Sequence, residues 1–272
     1  MKRRIDCATA ATTALLVCLG LSGCAALPKP DPMRLDPAWT VVQGGVVRGD
    51  KTKRELALIF TGGEHGQGSE HILDTLADRG VRASFFVTGD FVAVPGYDRW
   101  LRRMVAEGHY LGPHSHAHLL YAPWEDRSVS LVTEQEFRQD LLENMQALRG
   151  YGADFGEPVY FIPPYEWYNA QHSAWSEDLG VRLFNFTIGS GSHRDWMPES
   201  HAKFRSSEQI LQDILDCEGN DPDGLNGHLL LLHLGGLRED KMYLLLGRLI
   251  DELHTRGYTF RRADELLAPP RP

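Results

Sequence analysis

Cysteine and positive charge are both in short supply. Four cysteines occur in 272 residues, Cys7, Cys18, Cys24 and Cys217, and three of them fall within the first 24 positions. A body with Cys217 alone makes no internal disulfide and no cysteine-ligated metal centre. The 28 Lys and Arg are outnumbered by 37 Asp and Glu, a formal charge of −9, which argues against nucleic acid as a partner. The apolar stretch near the start falls short of the ~20 residues that a membrane-spanning helix needs, and no repeat recurs at solenoid periods. With 42% apolar residues over this length, the chain supports one sizeable core, which favours a single main domain.

The first residues read as an address. Lys2, Arg3 and Arg4 precede an apolar stretch over 8–21, the build of a secretory signal. Leu21-Ser22-Gly23-Cys24 resembles the lipobox of bacterial lipoproteins, which implies cleavage before Cys24 and a diacyl anchor on that residue. Residues 1–23 are then a signal peptide. Residues 24–38, opening CAALPKPDP, are a lipidated cysteine and a Pro-rich, semi-rigid tether that holds the domain off a membrane. Ala25 after the lipidated Cys, by likeness to Gram-negative lipoproteins, directs the protein to the outer membrane.

Residues 39–272 read as one α/β domain. The apolar run LALIF at 56–60 suits a strand buried on both faces, as parallel strands are. Ser69 is placed to cap a helix with Ile72, Leu73 and Leu76 on its inner face, ending near Gly80. Strands follow at 81–87, 110–112, 159–162, 182–186, 229–232 and 258–260, and helices at 97–107, 134–149, 169–179, 206–217 and 239–256. Thr133 caps the helix over 134–149. A polar stretch over 121–132 has no periodicity and reads as loop. Strand and helix alternate throughout, which predicts parallel βα architecture, and the mature length fits a barrel, which needs roughly 200–250 residues.

Chemistry-bearing residues gather just beyond the predicted strands, where α/β proteins keep their sites. The loop TGGEH at 61–65 follows the first core strand. His114 and His118 stand four apart after the third strand; they are either neutral imidazoles for zinc or a similar ion or solvated loop residues. His233 ends the run LLLLH and is either a core histidine or a proton donor. Glu166, after Pro163-Pro164-Tyr165, is a ligand-binding carboxylate or a surface group. Asp195-Trp196 carries the same ambiguity, with an exposed Trp suiting a sugar face.

Taken in order, LALIFTGG, RASFFVTG, EGHYLGPHSHAHLL, YFIPPY, Asp195-Trp196 and LLLLH resemble the polysaccharide deacetylase family, the NodB-homology carbohydrate esterases, over essentially all of 56–267. The resemblance implies a distorted (β/α) barrel of about seven strands, a divalent metal, and hydrolysis of N- or O-acetyl groups on a polysaccharide or oligosaccharide. It matches His114 and His118 to the family's metal ligands, His233 to its general acid, and Tyr165 to the position whose backbone amide helps hold the oxyanion. The chain departs from the family's Thr-Phe-Asp-Asp-Gly motif: Thr61 stands at the base and Gly62 at the metal-binding Asp. Ile162 replaces the Arg that orients the base. These losses are coupled, because an Arg without its carboxylate is an unpaired charge in a low-dielectric site. A divergent branch has a similar Phe-Thr-Gly-x-Glu loop and the Pro-Pro-Tyr-Glu-Trp-Tyr-Asn segment found at 163–169.

Two functional expectations follow. In the first, Glu64, on a loop loosened by Gly62, Gly63, Gly66 and Gly68, joins His114 and His118 around a divalent metal, zinc by preference. Glu166 then supplies the base and His233 the acid, while Thr61, Tyr165, Trp167, Asn169, Asp195 and Trp196 face the substrate. In the second, hydrolysis is lost and a membrane-tethered module binds glycan through Tyr165, Trp167 and Trp196, with Glu166 and Asn169 hydrogen bonding. A metal-dependent amidase acting on peptidoglycan peptides is a distant third.

Overall fold

The run LALIF forms the centre of the molecule. In the computed structural model, which describes residues 34–268, it lies within β3 (Glu55–Gly62). The expected signal peptide, Cys24 and most of the tether lie outside the described residues. Leu56, Leu58 and Phe60 enter one apolar cluster, shared with the helices. Ala57 and Ile59 enter a second, with Phe86, Ile162, Phe184 and Leu231. A strand buried on both faces leaves no room for alternation, which is why its sequence is continuously apolar.

Strands β1 (Thr40–Val42) and β2 (Gly45–Arg48) make an antiparallel hairpin that turns at Gly44, whose φ is 80°. β3 is flanked by β4 (Ser84–Val87) and β8 (Leu229–His233), and β5 (Tyr110–Pro113) lies beyond β4. All are parallel, and β9 (Thr259–Arg261) pairs with the start of β3. A second parallel sheet joins β6 (Val159–Phe161) to β7 (Val181–Leu183). The expected parallel α/β architecture is present. Among the described residues the ladders form these separate sheets rather than one hydrogen-bonded ring. Between β5 and β6 a side chain stands in for the ladder: Tyr160 N–H donates to the Tyr110 hydroxyl at 2.8 Å.

The helices follow the amphipathic pattern with two corrections. In α1 (Ser69–Asp78), Ile72, Leu73 and Leu76 are buried as predicted, but the cap position is Gly68, and the buried Ser69 hydroxyl has no hydrogen-bond partner. α2 (Gly89–Ala93) and α3 (Asp98–Ala106) follow β4. α4 (Glu134–Arg149) begins with the reciprocal Thr133–Glu136 capping box, which satisfies two otherwise orphaned N–H groups. α5 (Ala170–Glu177) and α6 (Ser207–Asn220) come next. The long helix expected over 239–256 starts late, as α7 (Leu246–Thr255) behind a 3-10 turn. Arg238 explains the delay: it is buried, pairs with the Asp240 carboxylate at 3.0 Å and donates to the Arg205 carbonyl, which holds 238–240 out of helical geometry. α8 (Ala263–Leu266) closes the domain.

Register sets the site. Thr61 pairs with His233, Gly62 with Val87, and Val87 with Pro113. The loops after β3, β4, β5 and β8 therefore leave the sheet at one level, at the carboxyl ends of the strands.

Candidate active site

A cleft of about 1090 Å³ opens at that level, lined by Thr61, Glu64, His114, His118, Tyr165, Glu166, Trp167, Trp196 and His233, among others. Helix α4 suspends the histidine loop. Asp140 accepts hydrogen bonds from His116 N–H at 3.0 Å and Ala117 N–H at 2.7 Å, and Asn144 accepts from His114 N–H at 2.9 Å. On the other side Gly89 N–H donates to the His116 carbonyl at 2.9 Å. Only glycine permits that approach, since a Cβ at 89 would run into the His116 ring and carbonyl.

His114 Nδ1 lies 2.9 Å from the Ile162 carbonyl. A carbonyl only accepts, so Nδ1 carries the proton and the Nε2 lone pair faces the cleft. Burial, aided by the neighbouring His118, drives the His114 pKa well below its ordinary value; burial takes His118 to about 4. Both are neutral imidazoles, with ring centroids 5.1 Å apart.

Glu166 reaches in from the loop after β6. Its Oε1 is 3.9 Å from His114 Nε2 and its side chain is only 18% exposed. Burial raises its pKa to about 7, opposed by the nearby His233 and reinforced by Asp195. Across the floor, Asp195 grips His233 twice, through Nδ1 at 2.7 Å and the backbone N–H at 2.8 Å. Burial works to lower the His233 pKa, but the Asp195 charge and hydrogen bond, with Glu166, raise it above the ordinary value. The cleft thus holds a carboxyl that titrates at about 7 beside an imidazole whose hold on its proton is strengthened by Asp195, a pairing suited to proton transfer.

The backbone is strained at the same place. Ser115, His118, Tyr165 and Glu166 all have positive φ, between 51° and 71°, a region that non-glycine residues rarely enter. Glycine at 166 would relieve the cost, yet a glutamate stands there.

Three expectations about individual residues need correction. The Glu64 side chain is 76% exposed and meets the His65 ring at 3.4 Å; its loop turns the carboxylate to solvent at the rim, away from the His pair. Asn169 faces no substrate: it caps α5 by accepting from Gln171 and His172 N–H and ties down the preceding loop by donating to the Arg127 and Val129 carbonyls. Asp195 is buried beneath His233 and acts on it rather than on a ligand.

The expected divalent ion does not find its donor set. Two imidazoles are in place, but among the described residues no three His, Cys, Asp or Glu side chains come together as a metal site. The places of the missing charged groups are filled. A Cβ on Gly62 would lie 2.8 Å from Leu234 Cδ1 and 2.9 Å from the Phe91 ring, both fully buried. Ile162 packs into the inner apolar cluster. Thr61 presents a buried hydroxyl without a hydrogen-bond partner.

Sequence reasoning missed Asp140, Asn144, Trp124 and Arg127. The first two left a trace, being polar residues on the buried face of α4 beside Phe137, Leu141 and Met145. Trp124 and Arg127 left none. Their loop packs on the 163–168 segment: Trp167 Nε1 donates to the Pro123 carbonyl at 3.1 Å, and the Trp124 and Trp167 rings lie 5.7 Å apart. With Tyr165 and, opposite, Trp196, Ile188 and Leu237, the cleft has exposed apolar walls.

The parallel α/β domain thus sets strand-end histidines and a buried carboxyl in one aromatic-walled cleft. A family model described as polysaccharide deacetylase matches residues 48–184, and the chain belongs to that family. An uncharacterized 30.6 kDa protein of Geobacillus stearothermophilus is 26% identical over 225 residues, covering 82% of this chain and 75% of that one. The peptidoglycan-N-acetylglucosamine deacetylase PgdA of Listeria monocytogenes is 26% identical over 217 residues, 79% of this chain but only 39% of the larger protein. The solved structure of a CE4 family pseudoenzyme from Bacillus anthracis superposes with a TM-score of 0.65 at 19% identity, covering 84% of this chain and 70% of that one, a likeness of fold.

Proposed function

We propose that this cleft removes acetyl groups, N- or O-linked, from a polysaccharide, with Glu166 as general base and His233 as general acid. What carries the reading is the pairing of a buried carboxyl with a pKa of about 7 and an imidazole raised by Asp195, both lining one cleft. The Glu166 carboxylate takes a proton from water as the water oxygen bonds to the acetyl carbonyl carbon. The unpartnered Thr61 hydroxyl is available to donate to the carbonyl oxygen as charge develops there. His233 then gives its Nε2 proton to the sugar nitrogen or oxygen as the bond to the acetyl carbon breaks. Acetate leaves and the sugar keeps an amine or hydroxyl. His114 Nε2, 3.9 Å from Glu166 Oε1, presents a lone pair to the carboxyl without a direct hydrogen bond. No step passes through a metal, because the donors for one are not assembled.

Trp124, Tyr165 and Trp196 form the faces on which sugar rings stack. This reading joins the activity to the expectation of a leader cleaved before Cys24, that is, an exported lipoprotein anchored at the outer membrane and acting on polysaccharide there.

A second reading, glycan binding without hydrolysis, is favoured by one observation: the family's base and its orienting arginine are replaced by Thr61 and Ile162 while the aromatic walls stay exposed. Acetate release decides between them. The purified protein is offered acetylated xylan, chito-oligosaccharides and peptidoglycan fragments, beside elemental analysis of bound metal. Release that survives chelation and is lost in His233→Ala supports the proposal. Glycan binding with no acetate released from any of these substrates supports the binding module.

A further inference from the structure

We infer that the wall formed by Trp124, Arg127 and Trp167 is a subsite for a sugar carboxylate, so that the polysaccharide is an acidic one of the uronic-acid type. The inference rests on the reading of the cleft as a glycan site and adds the charge of the glycan.

Arg127 lines the cleft, and among the described residues no carboxylate stands within ion-pair distance of it. Many arginines of the chain are paired, as Arg48 is with Asp221, Arg205 with Asp213, Arg261 with Glu55 and Arg262 with Asp264. Among the described residues Arg102, Arg149, Arg182 and Arg194 also lack a carboxylate, but Arg127 is the arginine that lines this cleft. In a protein of net charge −9, a cation left without a carboxylate in a ligand cleft is one whose counter-charge can come from the ligand.

Its pose is fixed by neutral groups. Nε donates to the Tyr168 carbonyl. The guanidinium lies over the rings of Trp167, at 4.5 Å, and Tyr168, at 4.8 Å. Its backbone carbonyl is held by Asn169 Nδ2 at 3.1 Å. The Tyr168 side chain also lies against the guanidinium, and the Nη donors that these neutral contacts do not use can meet a carboxylate through charge-assisted hydrogen bonds. A cation oriented in advance loses little conformational entropy on binding.

Trp124 completes the subsite. It is 55% exposed and packs on the same Trp167 ring as Arg127, tilted 33° from it. A pyranose resting on Trp124 would carry its C5 carboxylate toward the Arg127 edge. Of the cleft's acidic groups, Glu64 and Asp90 come from the segments after β3 and β4, whereas Arg127 and Trp167 come from those after β5 and β6; Glu166, next to Trp167 in the chain, faces His114 and makes no ion pair with Arg127.

Isothermal titration of the full chain compares oligogalacturonate and glucuronoxylan fragments with neutral xylo-oligosaccharides of equal length. Acidic glycans should bind about 10-fold or more tightly at low salt, with the advantage shrinking as NaCl is raised. Arg127→Gln, checked for unchanged near-ultraviolet circular dichroism, should erase that advantage while leaving neutral binding in place; Arg127→Lys should restore part of it. Equal binding of acidic and neutral glycans by the unmodified protein would overturn the inference but leave the glycan site standing. Equal weakening of both by Arg127→Gln would also overturn it, making Arg127 a buttress of the Trp167 wall. Failure to bind either class would remove the inference together with the reading beneath it.

Discussion

Replacing Glu166 with glutamine should make the protein more stable at alkaline pH and leave it unchanged in acid. Burial moves the Glu166 pKa from 4.5 to about 7 in the folded protein. At about 1.4 kcal/mol per pH unit, that displacement amounts to roughly 3 kcal/mol. A carboxyl whose folded pKa lies above its unfolded value favours the native state fully below pH 4.5. That contribution is lost as pH rises through about 7, where the charge must be held in a site that resists it. Glutamine keeps the shape and the positive φ but never ionises, so it escapes this slope. Glu166→Gln should therefore match wild type near pH 4.5 and exceed it by up to about 3 kcal/mol at pH 8; loss of the attraction to His233 trims the gain. At ~2–4 °C per kcal/mol for a domain of this size, Tm should rise by roughly 6–12 °C at pH 8. Thermal unfolding of both proteins at the two pH values checks this. A Tm difference that does not change with pH, or a variant less stable than wild type at pH 8, would refute the buried, proton-sharing carboxyl.

The same two groups set the pH–rate profile. Glu166 must be ionised and His233 protonated, so kcat/KM for acetate release should climb through about pH 7 and fall at higher pH as His233, raised by Asp195, loses its proton; a profile still rising at pH 10 would exclude the assigned roles, and the two limbs belong to the pair rather than to either residue. Restoring a carboxylate with Gly62→Asp should not create a metal site. It should cost about 1–3 kcal/mol by overpacking Leu234 and Phe91 and leave metal content unchanged by mass spectrometry; stoichiometric metal in that single variant would contradict the filled space at 62.

The fold was legible where physics leaves one choice. The runs at 56–60 and 229–232 are continuously apolar because both faces of β3 and β8 are buried, and the α4 cap is written in Thr133 and Glu136. His114, His118 and His233 were legible because a polar residue directly after such a run stands at a strand's carboxyl end. Glu64 misled for a related reason: proximity in sequence to Gly62 suggested a substitute carboxylate, but the direction of a side chain in a glycine-rich turn depends on packing that periodicity does not encode. Glu166 was noticed as a base, though its burial depends on a left-handed backbone that nothing in its neighbours dictates. Arg127 and Trp124 sit in an aperiodic loop whose position is fixed only by contacts with residues some forty positions later.

The apolar filling around Gly62 and Ile162 works as an evolutionary barrier. An aspartate at 62 alone meets Leu234 and Phe91, and an arginine at 162 alone is a charge in an apolar cluster without a partner. Each single step toward a charged pair at 62 and 162 is thus penalised until its companions on α2, just after β6 and after β8 have also changed, and such coupled substitutions do not add independently. The first loss from such a pair carries a cost as well, because it leaves the arginine or the carboxylate without its partner. Descendants of this sequence are accordingly channelled toward refining whatever Glu166 and His233 do, or toward giving up chemistry altogether.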